Sequence, residues 1–114
     1  RWQEAVENYR RALVVAPEDG NLHYNMGLAY LDGGDPARAA AGFDEALRLD
    51  PDLAEASKNV AAALARGYEQ AGKTARARVF VAKALDMDEQ DKDLQRAMSR
   101  LDTGRNGPGG PRSA

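Results

Sequence analysis

The chain has 114 residues, enough for one domain or a piece of one. It is 43% hydrophobic and 30% charged, and its net charge of −2 comes from interspersed acidic and basic residues, which argues against a broad nucleic-acid footprint. The absence of cysteine excludes a disulfide framework and thiol chemistry, and no apolar run approaches the roughly 18 residues that a membrane helix needs.

No signal peptide is visible, but the first residue is Arg1 rather than methionine, so the compartment stays open. Arg1 to Val15 reads as a helix. Ala5, Val6, Tyr9, Ala12, Leu13 and Ala16 recur at three- and four-residue spacing and line one apolar face. Pro17 ends it. Asp19-Gly20-Asn21 opens a second helix that runs to about Leu31, with Asp19 or Asn21 as its N-cap. Gly27 lets a paired helix approach closely, and Gly33-Gly34 supplies a turn in which positive φ costs glycine little. Asp35 then caps a third helix, with Pro36 at its first position, where a missing N–H does no harm. Phe43 is the main knob from this helix into the seam.

The chain repeats itself. Ala5, Tyr9, Ala12-Leu13 and Pro17 recur as Ala39, Phe43, Ala46-Leu47 and Pro51, each 34 residues later. Beyond Pro51 the offset becomes 38, since Gly72, Ala77 and Ala84-Leu85 answer Gly34, Ala39 and Ala46-Leu47. The added residues amount to about one helical turn, which lengthens a helix without rotating its apolar face. The expectation is one long helix from Leu53 to Ala71, with Ala56, Val60, Ala63, Leu64 and Tyr68 on its apolar side. Gly67 sits inside it at a cost of about 1 kcal/mol relative to alanine. Thr74 is expected to cap the next helix, which carries Ala77, Val81, Ala84 and Leu85. Val81 stands where Phe43 stood, so this seam is expected to be less filled.

Asp91 to Leu101 reads as a last helix, with Leu94, Met98 and Leu101 on one face and acidic residues at its positive N-terminal end. A terminal helix of this kind presents a polar outer face and closes an array. Thr103 to Ala114, rich in Gly, Pro, Arg and Asn, is expected to be a disordered tail.

No catalytic constellation emerges. Asp86, Asp88 and Gln90 hint at a calcium loop, but Asp91 and Ala97 stand where it needs glycine and glutamate. His23, the one histidine, falls at the helix seam and reads as packing. Gly33-Gly34-Asp35-Pro36 lacks the lysine and preceding strand of a phosphate loop. Lys73, Arg76, Arg78 and Lys83 form a basic stripe without interleaved aromatics and read as a solvated outer face. The expectations are no catalytic residue, no metal, no cofactor, no nucleic acid and no membrane.

The pattern of His23, Met26-Gly27, Tyr30, Ala39, Phe43 and Pro51 resembles the tetratricopeptide repeat, W-x₂-L-G-x₂-Y…A-x₃-F…P, with His for Trp and Met for Leu. The resemblance implies an all-α, right-handed superhelix of antiparallel A and B helices with a C-terminal capping helix. On that basis residues 1–102 form the domain: a half repeat over 1–17, a repeat over 20–51, a lengthened repeat over 53–88 and a cap over 91–102. It also implies that A helices line a concave groove that takes a peptide or partner helix. The candidates there are Asn21, Tyr24, Asn25, Leu28 and Asp32 on one A helix and Asn59, Ala62, Arg66 and Glu69 on the next. Amides can pair with a peptide backbone, while Tyr24 and Leu28 offer apolar contact. Some members clamp a terminal carboxylate with Lys, Asn and Arg from three successive A helices. Asn25 suits the middle place, but Ala63 holds the arginine place, with Lys58 and Arg66 displaced, so the full clamp is rejected.

The first expected function is thus a non-catalytic adaptor that binds a protein or peptide. The alternative is self-association. The first helix reads as a B helix without its A helix, so either the chain was cut from a longer array or the edge finds a partner. Pairing Ala5, Val6, Tyr9 and Leu13 with a second copy would give an isologous homodimer. A third reading makes the chain a non-catalytic part of a larger enzyme.

Overall fold

The structure, a computed structural model, describes residues 1–105. It contains α1 (Trp2–Val15), α2 (Gly20–Asp32), α3 (Pro36–Leu49), a 3-10 turn (Leu53–Glu55), α4 (Lys58–Gln70), α5 (Thr74–Met87) and α6 (Lys92–Arg105). No strand occurs among the described residues. Each helix packs on its neighbour in sequence, most extensively α2 on α3 and α4 on α5, which makes an all-α solenoid.

The helix starts have local causes. Asp19 Oδ1 accepts from the Asn21 and Leu22 amides at 2.9 and 3.3 Å, and Asp35 Oδ1 accepts from the Arg38 amide at 3.1 Å ahead of Pro36. Asp91 Oδ1 accepts from the Leu94 amide at 3.0 Å. Each satisfies a donor that a first helical turn leaves without a partner. The two hairpin turns are built alike. Gly34 and Gly72 adopt φ of +77° and +82°, and the next amide returns to the helix, Asp35 N to Tyr30 O and Lys73 N to Tyr68 O at 2.9 and 2.8 Å. A Cβ at either glycine would meet open space, so backbone conformation alone calls for glycine there.

The core runs through an aromatic row. Tyr24 and Phe43 have ring centroids 5.6 Å apart, Phe43 and Tyr68 lie 6.1 Å apart, and Tyr68 stacks on Phe80 at 5.6 Å. Such pairs add roughly 0.5–1.5 kcal/mol each beyond burial. Phe43 is fully enclosed, and Gly27 and Gly67 admit it from two helices: a Cβ at Gly27 would lie 2.6 Å from its ring and one at Gly67 2.3 Å.

Four sequence expectations need correction. The residues added after Pro51 do not lengthen a helix. They form the 3-10 turn, and Ser57 (φ −168°, ψ 162°) breaks the path before α4, its Oγ accepting from the Val60 amide at 3.2 Å. Serine competes for backbone bonds and favours this cap over a helix interior. Leu53 and Ala54 are buried by the turn, whereas Ala56 is left exposed. Thr74 is the first residue of α5 rather than its cap; Lys73 precedes it and provides no side-chain cap. The seam at Val81 is not poorly filled, because Phe80, one residue earlier, is buried there against Tyr68. Finally, Thr103 belongs to α6, which runs to Arg105; the rest of the expected tail lies outside the described residues. Leu94 and Leu101 of α6 are buried and Met98 is half-buried.

Candidate functional site

The A-type helices α2 and α4 carry the groove candidates. Asn21, Asp32, Asn59 and Arg66 are exposed; Tyr24, Asn25, Leu28, Ala62 and Glu69 are half-buried. The two helices are in contact, and Arg66 lies near enough to Tyr24 for its charge to act on the phenol. Burial raises the Tyr24 phenol above its ordinary range, and the nearby Arg66 charge works in the opposite direction. Part of the candidate set is committed elsewhere. Tyr24 leans on Phe43, Leu28 packs against the main core, and Ala62 packs against Ala61, Ala84 and Leu94 near α6. Glu69 receives Arg100 of α6 in a two-pronged pair at 2.6 and 2.8 Å, which holds its carboxyl below the usual range. Asn21, Asn25, Asp32, Asn59 and Arg66, with the polar end of Tyr24, are the candidates on α2 and α4 outside these contacts.

Lys58 bridges Asp88 and Asp91, 2.9 Å from each, and these two carboxylates raise its pKa. Ala63 is buried. Neither residue can therefore serve a carboxylate clamp. Asp88 also accepts from the Gln90 amide at 3.3 Å, so two of the three hinted calcium residues are engaged in the α5–α6 connection. His23 Nε2 lies 3.0 Å from the Pro17 carbonyl oxygen, which it meets as an N–H donor, and the ring ties α2 to the preceding loop. The basic stripe is more than a solvated face. Arg76 reaches Asp44 at 2.6 Å, Arg78 reaches Asp102 at 2.8 Å and Lys83 reaches Glu55 at 2.9 Å, each across elements.

On α1, Val6 is buried within the chain, and Ala5, Tyr9 and Leu13 are half-buried. The most open aliphatic side chains lie further along, at Val14 (80% exposed) and Val15 (87%). A second surface was missed from sequence. A shallow groove of about 730 Å³ lies between the B-type helices α3 and α5, lined by Leu47, Ala75, Val79 and Phe80, with Asp44, Arg76 and the Tyr68 edge on its rim. Tyr68 donates to Asp44 at 2.7 Å, and Arg76 lies over its ring, 5.2 Å from the centroid.

A profile described as tetratricopeptide repeat matches residues 1–54 and again residues 24–92. The chain belongs to the tetratricopeptide repeat family. Two solved structures share its architecture. One is described as the first TPR of Spaghetti (RPAP3) bound to HSP90 peptide SRMEEVD. It has a TM-score of 0.76 at 14% identity, with 93% of this chain and 81% of that one covered. The other is TTC0263, a thermophilic TPR protein of Thermus thermophilus, with a TM-score of 0.63 at 28% identity. There the match covers 88% of this chain and 49% of the other. No curated protein matches the chain.

Within this tetratricopeptide repeat chain, the family positions explain what sequence reading found and what it missed. Gly27 and Phe43 meet as the pattern implies. The α3–α5 groove escaped because its signal is a relation between repeats: Tyr30 with Arg38 and Tyr68 with Arg76, both pairs eight apart and offset by 38. That spacing, read as a recurring Tyr–Arg pair rather than as part of a basic stripe, would have exposed it.

Proposed function

We propose that this tetratricopeptide repeat chain is a non-catalytic protein-interaction module that holds a peptide or partner segment against α2 and α4. The observation that carries this reading is that the adjacent A-type helices α2 and α4 carry Asn25, Asn59 and an exposed Arg66 whose charge acts on the Tyr24 phenol. An open arginine beside a phenol provides donors without an internal ion pair to break, and amides satisfy an extended backbone. The solved neighbour bound to an HSP90 peptide supports this as a use of the same architecture. An adaptor or scaffold role in a larger assembly follows from such a surface.

The test is capture of binding proteins on the immobilised chain, compared with the double variant Asn25→Ala/Arg66→Ala and with Arg11→Ala on α1. These positions avoid the core-packed Tyr24 and Leu28, so the fold is kept. A partner lost with the double variant and kept with Arg11→Ala supports the groove. A partner retained by both variants refutes it.

Self-association is the second reading, favoured by the exposure of Val14 and Val15 at the end of α1. Burying four such valines across an isologous contact stabilises by roughly 6 kcal/mol or more at full burial, before the cost of association. Sedimentation over a wide dilution range distinguishes the readings: a mass that stays monomeric throughout removes the dimer.

A further inference from the structure

The 34- and 38-residue offsets place two side-chain clusters at equivalent sites between successive B-type helices, each with a tyrosine from the A-type helix that separates them. In the second gap, between α3 and α5, the cluster is Asp44, Tyr68 and Arg76. In the first, between α1 and α3, the equivalents are Arg10, Tyr30 and Arg38. The two are built on the same plan. Arg38 lies over the Tyr30 ring, 6.0 Å from its centroid, as Arg76 lies over Tyr68. Arg10 Nη2 donates to the Tyr30 hydroxyl at 3.3 Å, where Asp44 accepts from Tyr68.

The charges differ. The second gap carries its own carboxylate, which receives both the phenol and the guanidinium. The first has two guanidiniums around one phenol. Their carboxylates come from their own helical turns: Glu7 sits 3.3 Å from Arg10, and Asp35 sits 2.7 Å from Arg38. Neither carboxylate bridges the gap as Asp44 does. Exposed pairs of this kind contribute little and leave the arginine head groups largely in water. Leu47 and Arg48 line the second gap, and the 34-residue offset makes Leu13 and Val14 their counterparts on α1. Trp2, at the other end of α1, packs beside Tyr30 with ring centroids 6.4 Å apart.

We propose that the Arg10–Tyr30–Arg38 cluster is a binding site for an aspartate or glutamate side chain of a partner protein, which supplies from outside the carboxylate that Asp44 provides in the next repeat. The carboxylate bridges Arg10 and Arg38 and accepts from the Tyr30 hydroxyl, while an adjacent aliphatic residue of the partner rests on Leu13 and Val14. The internal cluster supplies the argument for this chemistry, since a tyrosine with an arginine over its ring already holds a carboxylate once in this chain. The flanking apolar residues favour a peptide over a free anion, which would gain only screened attraction at so open a site. This site lies between α1 and α3, with Tyr30 supplied from the end of α2, and it shares no residue with the groove candidates on α2 and α4.

The test titrates the isotope-labelled full chain with a blocked Glu-Leu-Glu tripeptide, following the Arg10 and Arg38 Nε–Hε resonances and the Trp2 indole. Saturable shifts of all three are expected, absent with Gln-Leu-Gln and reduced by added salt. Arg10→Asp, which puts a carboxylate where Asp44 has one, weakens binding by roughly tenfold or more. Arg11→Asp, the same charge change one residue away, leaves the shifts of Arg38 and Trp2 in place. Three results each overturn the proposal: no saturable shift, equal binding by Arg10→Asp, or equal loss with Arg11→Asp. Equal saturation by acetate at matched carboxylate concentration assigns the site to free anions and overturns the partner side chain as its ligand.

Discussion

Gly67 lies flat against the edge of Phe43: a Cβ at residue 67 would come within 2.3 Å of the ring's Cε2. The ring cannot yield, because Gly27 holds its other edge at a similarly short approach and the side chain is fully buried. Helix α4 therefore carries a glycine at a position where propensity alone favours alanine by about 1 kcal/mol.

Gly67→Ala is expected to destabilise the chain despite that propensity. Overpacking costs roughly 1–3 kcal/mol against a helix gain of about 1 kcal/mol, for a net loss of up to about 2 kcal/mol. Urea unfolding monitored by circular dichroism measures it. A variant as stable as the parent would show that Phe43 has room to move.

Phe80, not Val81, is expected to be the costlier truncation in α5. Phe80→Ala removes a ring stacked on Tyr68 and should lose about 3 kcal/mol or more. Val81→Ala removes two buried carbons, worth about 2 kcal/mol. Parallel denaturation of the two variants decides the order.

Deleting residues 92–114 removes the cap formed by α6. It exposes what Leu94 and Leu101 cover and breaks the Arg78–Asp102 and Arg100–Glu69 pairs. The two leucines alone set an expected loss of roughly 3–6 kcal/mol as an upper bound. Unchanged thermal unfolding after the deletion would remove the capping role.

Stability should fall on acidification in a way that Asp91→Asn blunts. The Lys58 ammonium, and after it the Leu94 amide, hold the Asp91 carboxyl below its ordinary 3.8. Its folded pKa lies below the unfolded one, so the contribution is present above the unfolded value and lost as pH falls through the folded one. Lys58 shifts the other way, above its ordinary 10.5, so its contribution persists below that pH and disappears only under strong alkali. Melting temperatures from about pH 5 to about pH 2.5 should drop more steeply for the parent than for Asp91→Asn. Parallel curves would show that the Lys58 bridge adds nothing.

The helix pairs, the caps of α2 and α3 and the glycine turns were legible in the sequence. These rest on neighbours within a few residues: Asp19 and Asp35 before helix starts, Pro36 at a first position, Gly34 and Gly72 at positive φ. Repetition at fixed offsets then assigned the fold, because equivalent apolar positions must bury against equivalent partners. The insertion after Pro51 was visible in length but not in shape. A helical turn and a 3-10 turn with a serine cap both absorb four residues, and the burial of Leu53 and Ala54 selected the second. Phe80 was overlooked because helical register pointed to Val81, whereas the stack on Tyr68 depends on how α5 lies against α4. The surfaces were the least legible. Whether Tyr24 and Leu28 face a ligand or lean on Phe43 and the core, and whether Arg76 meets water or Asp44, depends on side chains 19 to 32 residues apart in sequence. Local spacing carries no information about such pairs. Only the packing of one repeat against the next brings them together.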